Sequence, residues 1–212
     1  MLDVVQSADY KYEDPLLNSS HRYLLPAAIK LLDAAAGTGL ERRVFDLGCG
    51  NGSVSAAIAE RGYKVTGVDP SERGVALGQA RYPKVTLLNR SGYDDLVAEF
   101  GTFPLVTCLE VIEHVYYPRK LLKTAFDLVQ PGGVLCLSTP FHGYLKNLLL
   151  ALSGQLDRHF DVLEDNGHIK FFSVPTLRRL LAEAGFTEIE FHMIGRMPVI
   201  AKSMMVTARR PR

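Results

Sequence analysis

The stretch VFDLGCGNG, Val44 to Gly52, joins a run of strand-forming residues to a loop carrying three glycines, with an aspartate inside the run. Glycine reaches positive φ angles and lets another group come close to the backbone. In a doubly wound sheet the first strand-to-helix turn is the part of the chain that lies nearest the ligand. Asp69 closes the next strand-like run, 21 residues after Gly48, where a carboxylate can accept hydrogen bonds from both hydroxyls of a ribose. The loop and this acid together predict an adenosine-like nucleoside. The glycines are spaced G-x-G-x-G, and Ser53 stands where the dinucleotide fingerprint G-x-G-x-x-G has its last glycine. That spacing argues against a nicotinamide cofactor.

Outward from this loop, the chain alternates. Strand RVFDL, helix GSVSAAIAERG, strand KVTGVD, helix SERGVALGQARY and strand KVTLL are followed by a looser link through DDLVAEFG. Then come strand PLVTCLE, helix PRKLLKTAFDLVQ, a PGG turn and strand VLCLSTP. Strands separated by short helices imply crossover units, a mostly parallel sheet and helices on both faces, a three-layer α/β sandwich. SSHRYLLPAAIKLLDAAAG, with serine caps and Gly37 as its stop, predicts a lead-in helix within a cover formed by residues 1–40. Residues 141–170 interrupt the rhythm and read as an inserted substrate lid ahead of helix SVPTLRRLLAEAG. TEIEFHMIG and VIAKSMMVTA leave no room for a helix between them and predict a final antiparallel pair. One domain, residues 1–212, accounts for the whole chain.

Composition sets limits on partners. The chain has 24 basic and 23 acidic residues and a net charge of +1. Such a balance gives no field for nucleic acid or an anionic membrane, so neither is expected. No run approaches the roughly 20 apolar residues a spanning helix needs. The polar start carries no charged-then-apolar leader. Cys49, Cys108 and Cys136 show neither CxxC nor CxH spacing, which implies reduced thiols and a cytoplasmic protein.

The chain from Val44 onward resembles the class I S-adenosylmethionine-dependent methyltransferases. Asp46 with GCGNG resembles their first motif, Asp69 their ribose acid, LVQPGGVLCLSTP their later Pro-Gly-Gly turn and strand, and the final pair their reversed hairpin. The resemblance implies a seven-stranded Rossmann-like sheet and S-adenosylmethionine as cofactor. It implies that Gly48, Cys49, Gly50, Asn51 and Gly52 pack against the methionine part, with Asp46 supporting the loop or the amino group. Asp69 would hold the ribose, Pro70 and Ser71 the adenine edge, Ser91, Gly92 and Tyr93 the adenine flank, and Leu109 the far side. Arg22 is the expected partner of the methionine carboxylate, although Ala28 stands where the ubiquinone enzymes carry an arginine.

Methyl transfer from a sulfonium is an in-line displacement, so the acceptor atom needs a free lone pair aimed at the methyl group. In LEVIEHV, Glu110, Glu113 and His114 are spaced to share one face of a helical turn. Two carboxylates and an imidazole beside the cofactor can hold a divalent ion such as Mg²⁺ or Mn²⁺, which binds a hydroxyl and lowers its pKa. The run resembles the Glu-x-x-Glu-His motif of ubiquinone-pathway O-methyltransferases and small-RNA 2′-O-methyltransferases, and His168 in GHIKFFS matches a later metal histidine of the RNA enzymes. Without a metal, His114 or His142 is the expected general base. His159 and His192 read as surface or satisfied histidines. The reaction expected is O-methylation of a catechol, phenol or diol-like small molecule. The alternatives are N- or C-methylation, or a nucleoside-binding module without turnover.

Overall fold

The computed structural model describes residues 12–160, 163 and 167–212, so the first eleven residues of the expected 1–40 cover lie outside it, as does part of the 141–170 insertion. A seven-stranded sheet runs in the order β3-β2-β1-β4-β5-β7-β6. Its strands are β1 (Arg43–Leu47), β2 (Lys64–Asp69), β3 (Thr86–Asn89), β4 (Phe103–Leu109), β5 (Val129–Pro140), β6 (Thr187–Ile194) and β7 (Ser203–Arg209). The first five pair in parallel; β7 runs antiparallel to both β5 and β6. The order reverses between β1 and β4, which opens the ligand crevice beyond their carboxyl ends.

The helices divide between two apolar cores. On one face α1 (His21–Ala36), α2 (Ser53–Ala59) and α3 (Glu72–Arg81) bury Leu24, Ala28, Leu32, Ile58 and Val75 against Val44 and Val65. On the other, α4 (Leu96–Phe100), α5 (Pro118–Leu128) and α8 (Val174–Glu183) bury Leu96, Leu121, Leu122, Leu177 and Leu181 against Phe45 and Leu47. Val44 and Phe45 serve opposite cores because successive strand residues face opposite sides.

Local chemistry explains most boundaries. α1 begins at His21, but Ser20 makes no side-chain cap. Instead Asn18 Oδ1 accepts from Ser20 N and His21 N, both at 3.0 Å. Ser173 and Thr176 form a reciprocal capping box for α8. Within the link DDLVAEFG the short helix α4 starts at an Asp95 cap, Ala98 N donating to its carboxylate. The Pro-Gly-Gly segment is no separate turn: β5 runs through it, with Gly132 at φ 78° and the register against β4 shifting between Phe103 and Leu105. The segment is a bulge, where one strand absorbs extra residues and keeps its pairing.

The insertion carries α6 (Tyr144–Leu152) and α7 (Leu156–His159). The side chain of His159 lies outside the described set. All three cysteines are buried free thiols, and among the described residues no helix is long and apolar enough to cross a membrane.

Candidate functional site

Tight turns follow β1. Gly48 N and Cys49 N both donate to Val68 O, at 2.8 and 2.9 Å, bending the loop over the end of β2. Gly48 and Gly52 have φ angles of 87° and 73°. A Cβ at Gly48 would stand 2.4 Å from Val111 Cγ2, and one at Gly52 2.4 Å from Leu87 Cδ1. Gly50 N donates to Asp69 Oδ2 and Ser71 N to Asp69 Oδ1, each at 2.9 Å. Asp69 therefore couples the glycine loop to the end of β2.

These residues open into one cavity of about 1260 Å³. A single small-ligand site occupies roughly 300–1,000 Å³, so the space suits two molecules side by side. Of the residues expected to contact the cofactor, Asp46, Gly48, Cys49, Gly50, Asn51, Asp69, Pro70, Ser91, Gly92, Tyr93 and Leu109 line it. Three others of that set, Gly52, Ser71 and Arg22, do not, and neither do Glu113 and His142. Gly52 shapes the turn against Leu87. Ser71 is the cap of α3, its hydroxyl accepting from Gly74 N at 3.2 Å. Arg22 is exposed on α1; it sits two residues before buried Leu24, about 200° around the helix, and does not line the cavity.

Asp46 is 2% exposed. Ser55 Oγ donates to its Oδ2, and Thr107 Oγ1 to its Oδ1 at 2.8 Å. Burial pushes its pKa up, and the two hydroxyls pull it back. Its role here is to tie β1 to α2 and β4. The Cys49 thiol is pushed far up by burial and by the charges of Asp69 and Asp46, so it is held as an unreactive thiol.

Facing the loop is the LEVIEHV segment. Glu110 follows β4 with φ 54°, an uncommon conformation for a non-glycine residue. Ser138 holds it there. Glu110 N donates to Ser138 O and Ser138 Oγ, both at 3.1 Å, while Ser138 Oγ donates to Glu110 Oε1 at 2.7 Å. Burial lifts this carboxyl from 4.5 to about 7, with Ser138, Ser203 and Lys146 opposing.

Glu110 consequently does not share a helical face with Glu113 and His114, which sit in a separate 3-10 turn, Ile112–His114. Glu113 is fully buried, and neither carboxylate oxygen has a hydrogen-bond partner. Burial, then the charge of Glu110, holds its pKa well above the ordinary carboxylate value. Ile169 N and Lys170 N donate to Glu113 O at 2.9 and 3.0 Å, which brings the returning end of the insertion onto this turn. His168 arrives with it. One ligand atom each from Glu113, His114 and His168 lie within 4.8 Å of one another. His114 Nδ1 meets Gly167 O at 3.3 Å; a carbonyl only accepts, so Nδ1 carries the proton. Nε2 faces Glu113 Oε1, 4.0 Å away.

His142, expected as a base, does not line the cavity. It is 8% exposed and packs against the rings of Phe160 and Phe171, with centroids 5.5 and 5.0 Å away. His192 is half-buried on β6 with an unpartnered Nε2, not a satisfied or surface histidine. Sequence reasoning also passed over several wall residues. Tyr12 lies over Gly50 and Gly74, and Asn51 Nδ2 fastens its segment by donating to Asp14 O and Leu16 O at 2.9 and 3.0 Å. Lys146, Arg196, Lys202 and Ser203 line the cavity from elements far apart in the chain. Only an aromatic in a polar lead-in hinted at Tyr12, and nothing local marked the others.

Residues 19–190 match the model of a methyltransferase domain family. The chain is 33% identical over 155 residues to a ubiquinone biosynthesis O-methyltransferase of Psychrobacter arcticus, covering 69% of this chain and 59% of that protein. It is 32% identical over 171 residues to the protein of the same name from Aromatoleum aromaticum, covering 78% and 72%. It spans about half the length of the Pseudomonas aeruginosa relatives. Among solved structures, magnesium protoporphyrin IX methyltransferase of Synechocystis PCC 6803 with bound S-adenosylhomocysteine aligns with a TM-score of 0.64 at 21% identity, over 92% of this chain and 88% of that one. The methyltransferase domain of bacterial CtHen1 aligns at 0.67 and 19%, over 91% and 100%. The chain belongs to the class I S-adenosylmethionine-dependent methyltransferases.

Proposed function

We propose that this protein transfers the methyl group of S-adenosylmethionine to a hydroxyl oxygen of a small molecule, a catechol, phenol or diol-like acceptor. The carrying observation is that His114 and His168 line the cavity that also holds the glycine loop, with the buried Glu113 directly behind them, one ligand atom of each lying within 4.8 Å of the others. Asp69 accepts from the ribose hydroxyls, and Gly48 to Asn51 pack along the methionine part. Pro70, Ser91, Gly92 and Tyr93 border the adenine. The acceptor occupies the remaining space under residues 141–170, which act as its lid within a single 1–212 domain.

In the reaction, the acceptor oxygen attacks the methyl carbon as the carbon–sulfur bond breaks, and S-adenosylhomocysteine leaves. The hydroxyl proton has to go to the protein. Glu110 is the base this geometry favours: it sits at the carboxyl end of β4, lines the cavity, and its carboxyl at about 7 is poised for transfer near neutral pH. Ser138 fixes its direction. His114, anchored through its Nδ1 contact with Gly167 O, lines the cavity beside Glu110 and helps to position the acceptor.

Glu113, His114 and His168 also fit a divalent cation. Two buried carboxylate oxygens without partners beside two imidazoles form a mixed oxygen and nitrogen donor set, which suits Mg²⁺, Mn²⁺ or a later transition ion. When bound, such an ion supplies Lewis acidity that lowers the pKa of a coordinated hydroxyl. Glu110 stands apart from that set.

Methyl-labelled cofactor offered with catechols, phenols, diols and small amines tests the reading. Label on an oxygen supports it; label confined to nitrogen or carbon rejects it.

A further inference from the structure

The acceptor side of the cavity carries a concentration of positive charge in a chain that is otherwise nearly neutral. Lys146 comes from α6, Arg196 from the link after β6, and Lys202 from the residue before β7. All three line the cavity. They form one group. Lys146 Nζ donates to Phe141 O at 2.8 Å, and Phe141 N donates to Lys202 O at 3.0 Å. The stem of Lys202 lies where a side chain on Gly195 would fall, 3.1 Å from that Cβ position, next to Arg196. Arg196 is close enough to Lys146 to lower its pKa by repulsion, second to burial.

Among the described residues none of the three is in a salt bridge. Glu110 attracts Lys146 through space, but its carboxylate is bonded to Ser138. Lys202 Nζ stands 5.1 Å above the Tyr23 ring, which offers only a π face. Three cations gathered on one cavity, two of them close enough to repel each other, gain from an anion that enters it. Leu149, Leu150 and Ile200 form an apolar surface on the same wall. The wall therefore matches a molecule with an apolar body and one acidic group.

We infer that the methyl acceptor is an anionic amphiphile whose carboxylate or phosphate is bound by Lys146, Arg196 and Lys202 while its ring or chain lies on Leu149, Leu150 and Ile200. This rests on the reading that the acceptor occupies this cavity. A polynucleotide is the poorer match: three cations at the cavity, Arg196 and Lys202 exposed at it, neutralise one acidic group, and a net charge of +1 supplies little general attraction for a polyanion.

The test is calorimetry on the chain loaded with S-adenosylhomocysteine, with three probes sharing one catechol ring that bears a carboxylate, a phosphonate or a neutral carboxamide. The carboxylate or phosphonate binds about tenfold tighter than the carboxamide, as expected of a charge-assisted contact, and the tighter of the two names the acid. Arg196→Gln and Lys202→Gln each remove most of that preference and leave carboxamide affinity and S-adenosylhomocysteine affinity unchanged. Equal binding of acid and amide, no binding of either acid, or loss of S-adenosylhomocysteine affinity in the variants overturns the inference. So does binding of an RNA oligonucleotide in place of the acids. Turnover is scored separately. Acid preference without oxygen methylation rejects the proposed reaction alone, and methylation of the amide at the rate of the acid rejects the anion site alone.

Discussion

The backbone N–H of Gly50 donates to the carboxylate of Asp69 across 2.9 Å, joining two residues on different strand-to-helix turns. One acid therefore ties the loop to the end of β2, and in the proposed function it is also the acceptor for the ribose hydroxyls. Asp69→Ala removes both roles: it strands the N–H groups of Gly50 and Ser71 and takes away the ribose acceptor. Calorimetry with S-adenosylhomocysteine should show a loss of about 10- to 100-fold in affinity, the range for a hydrogen bond to a charged group. Unchanged affinity would remove the ribose from Asp69.

Gly52 does not line the cavity, so its replacement tests the fold. Gly52→Ala places a Cβ against Leu87 at φ 73° and should cost about 1–3 kcal/mol in urea unfolding. Gly62→Ala, at φ 84° with open space around it, carries only the backbone penalty of about 1 kcal/mol. Equal losses at the two positions would discount the Leu87 contact.

Glu110 ties activity to pH. Its carboxylate accepts the proton only when ionised, so kcat/KM should rise with pH through about 7, and Glu110→Gln should remove that limb. Stability runs the other way. A carboxyl whose folded value lies above its ordinary 4.5 leaves the native state intact below that value and costs stability as pH climbs toward about 7. Glu110→Gln should match the wild type at pH 4 and exceed it at pH 8 in urea midpoint; the opposite order would place the charged form in a favourable setting.

The Glu113, His114 and His168 group predicts metal-linked stabilisation. Mn²⁺ in excess of its dissociation constant should raise the melting temperature through ligand linkage, and Glu113→Gln and His168→Ala should each abolish the rise. A wild-type Tm that ignores Mn²⁺ and chelator alike would leave these three residues as structural.

How much of this was legible in the chain follows from the range of the forces involved. Hydrophobic period and glycine position are local, so the strand and helix order, the G-x-G-x-G turn and Asp69 are readable from VFDLGCGNG and its neighbours. The antiparallel close is readable because TEIEFHMIG and VIAKSMMVTA have no helix between them. Glu110 was misplaced on the face of Glu113 because a helical period was assumed where Ser138, 28 residues away, pulls the backbone to positive φ. His142 has the right chemistry at a plausible position, yet Phe160 and Phe171 bury it. Arg22 lies near the cavity in sequence, but the phase of α1 turns it to solvent while Tyr23 faces inward. The cation group was invisible because Lys146, Arg196 and Lys202 meet only through the return of β6 and β7 beside the insertion.

The most direct measurement is product analysis after incubating the protein with methyl-labelled S-adenosylmethionine and a catechol. The account predicts the labelled mono-O-methyl ether together with an equal amount of S-adenosylhomocysteine. Failure to label any hydroxyl acceptor, or label appearing only on an amine, would contradict it.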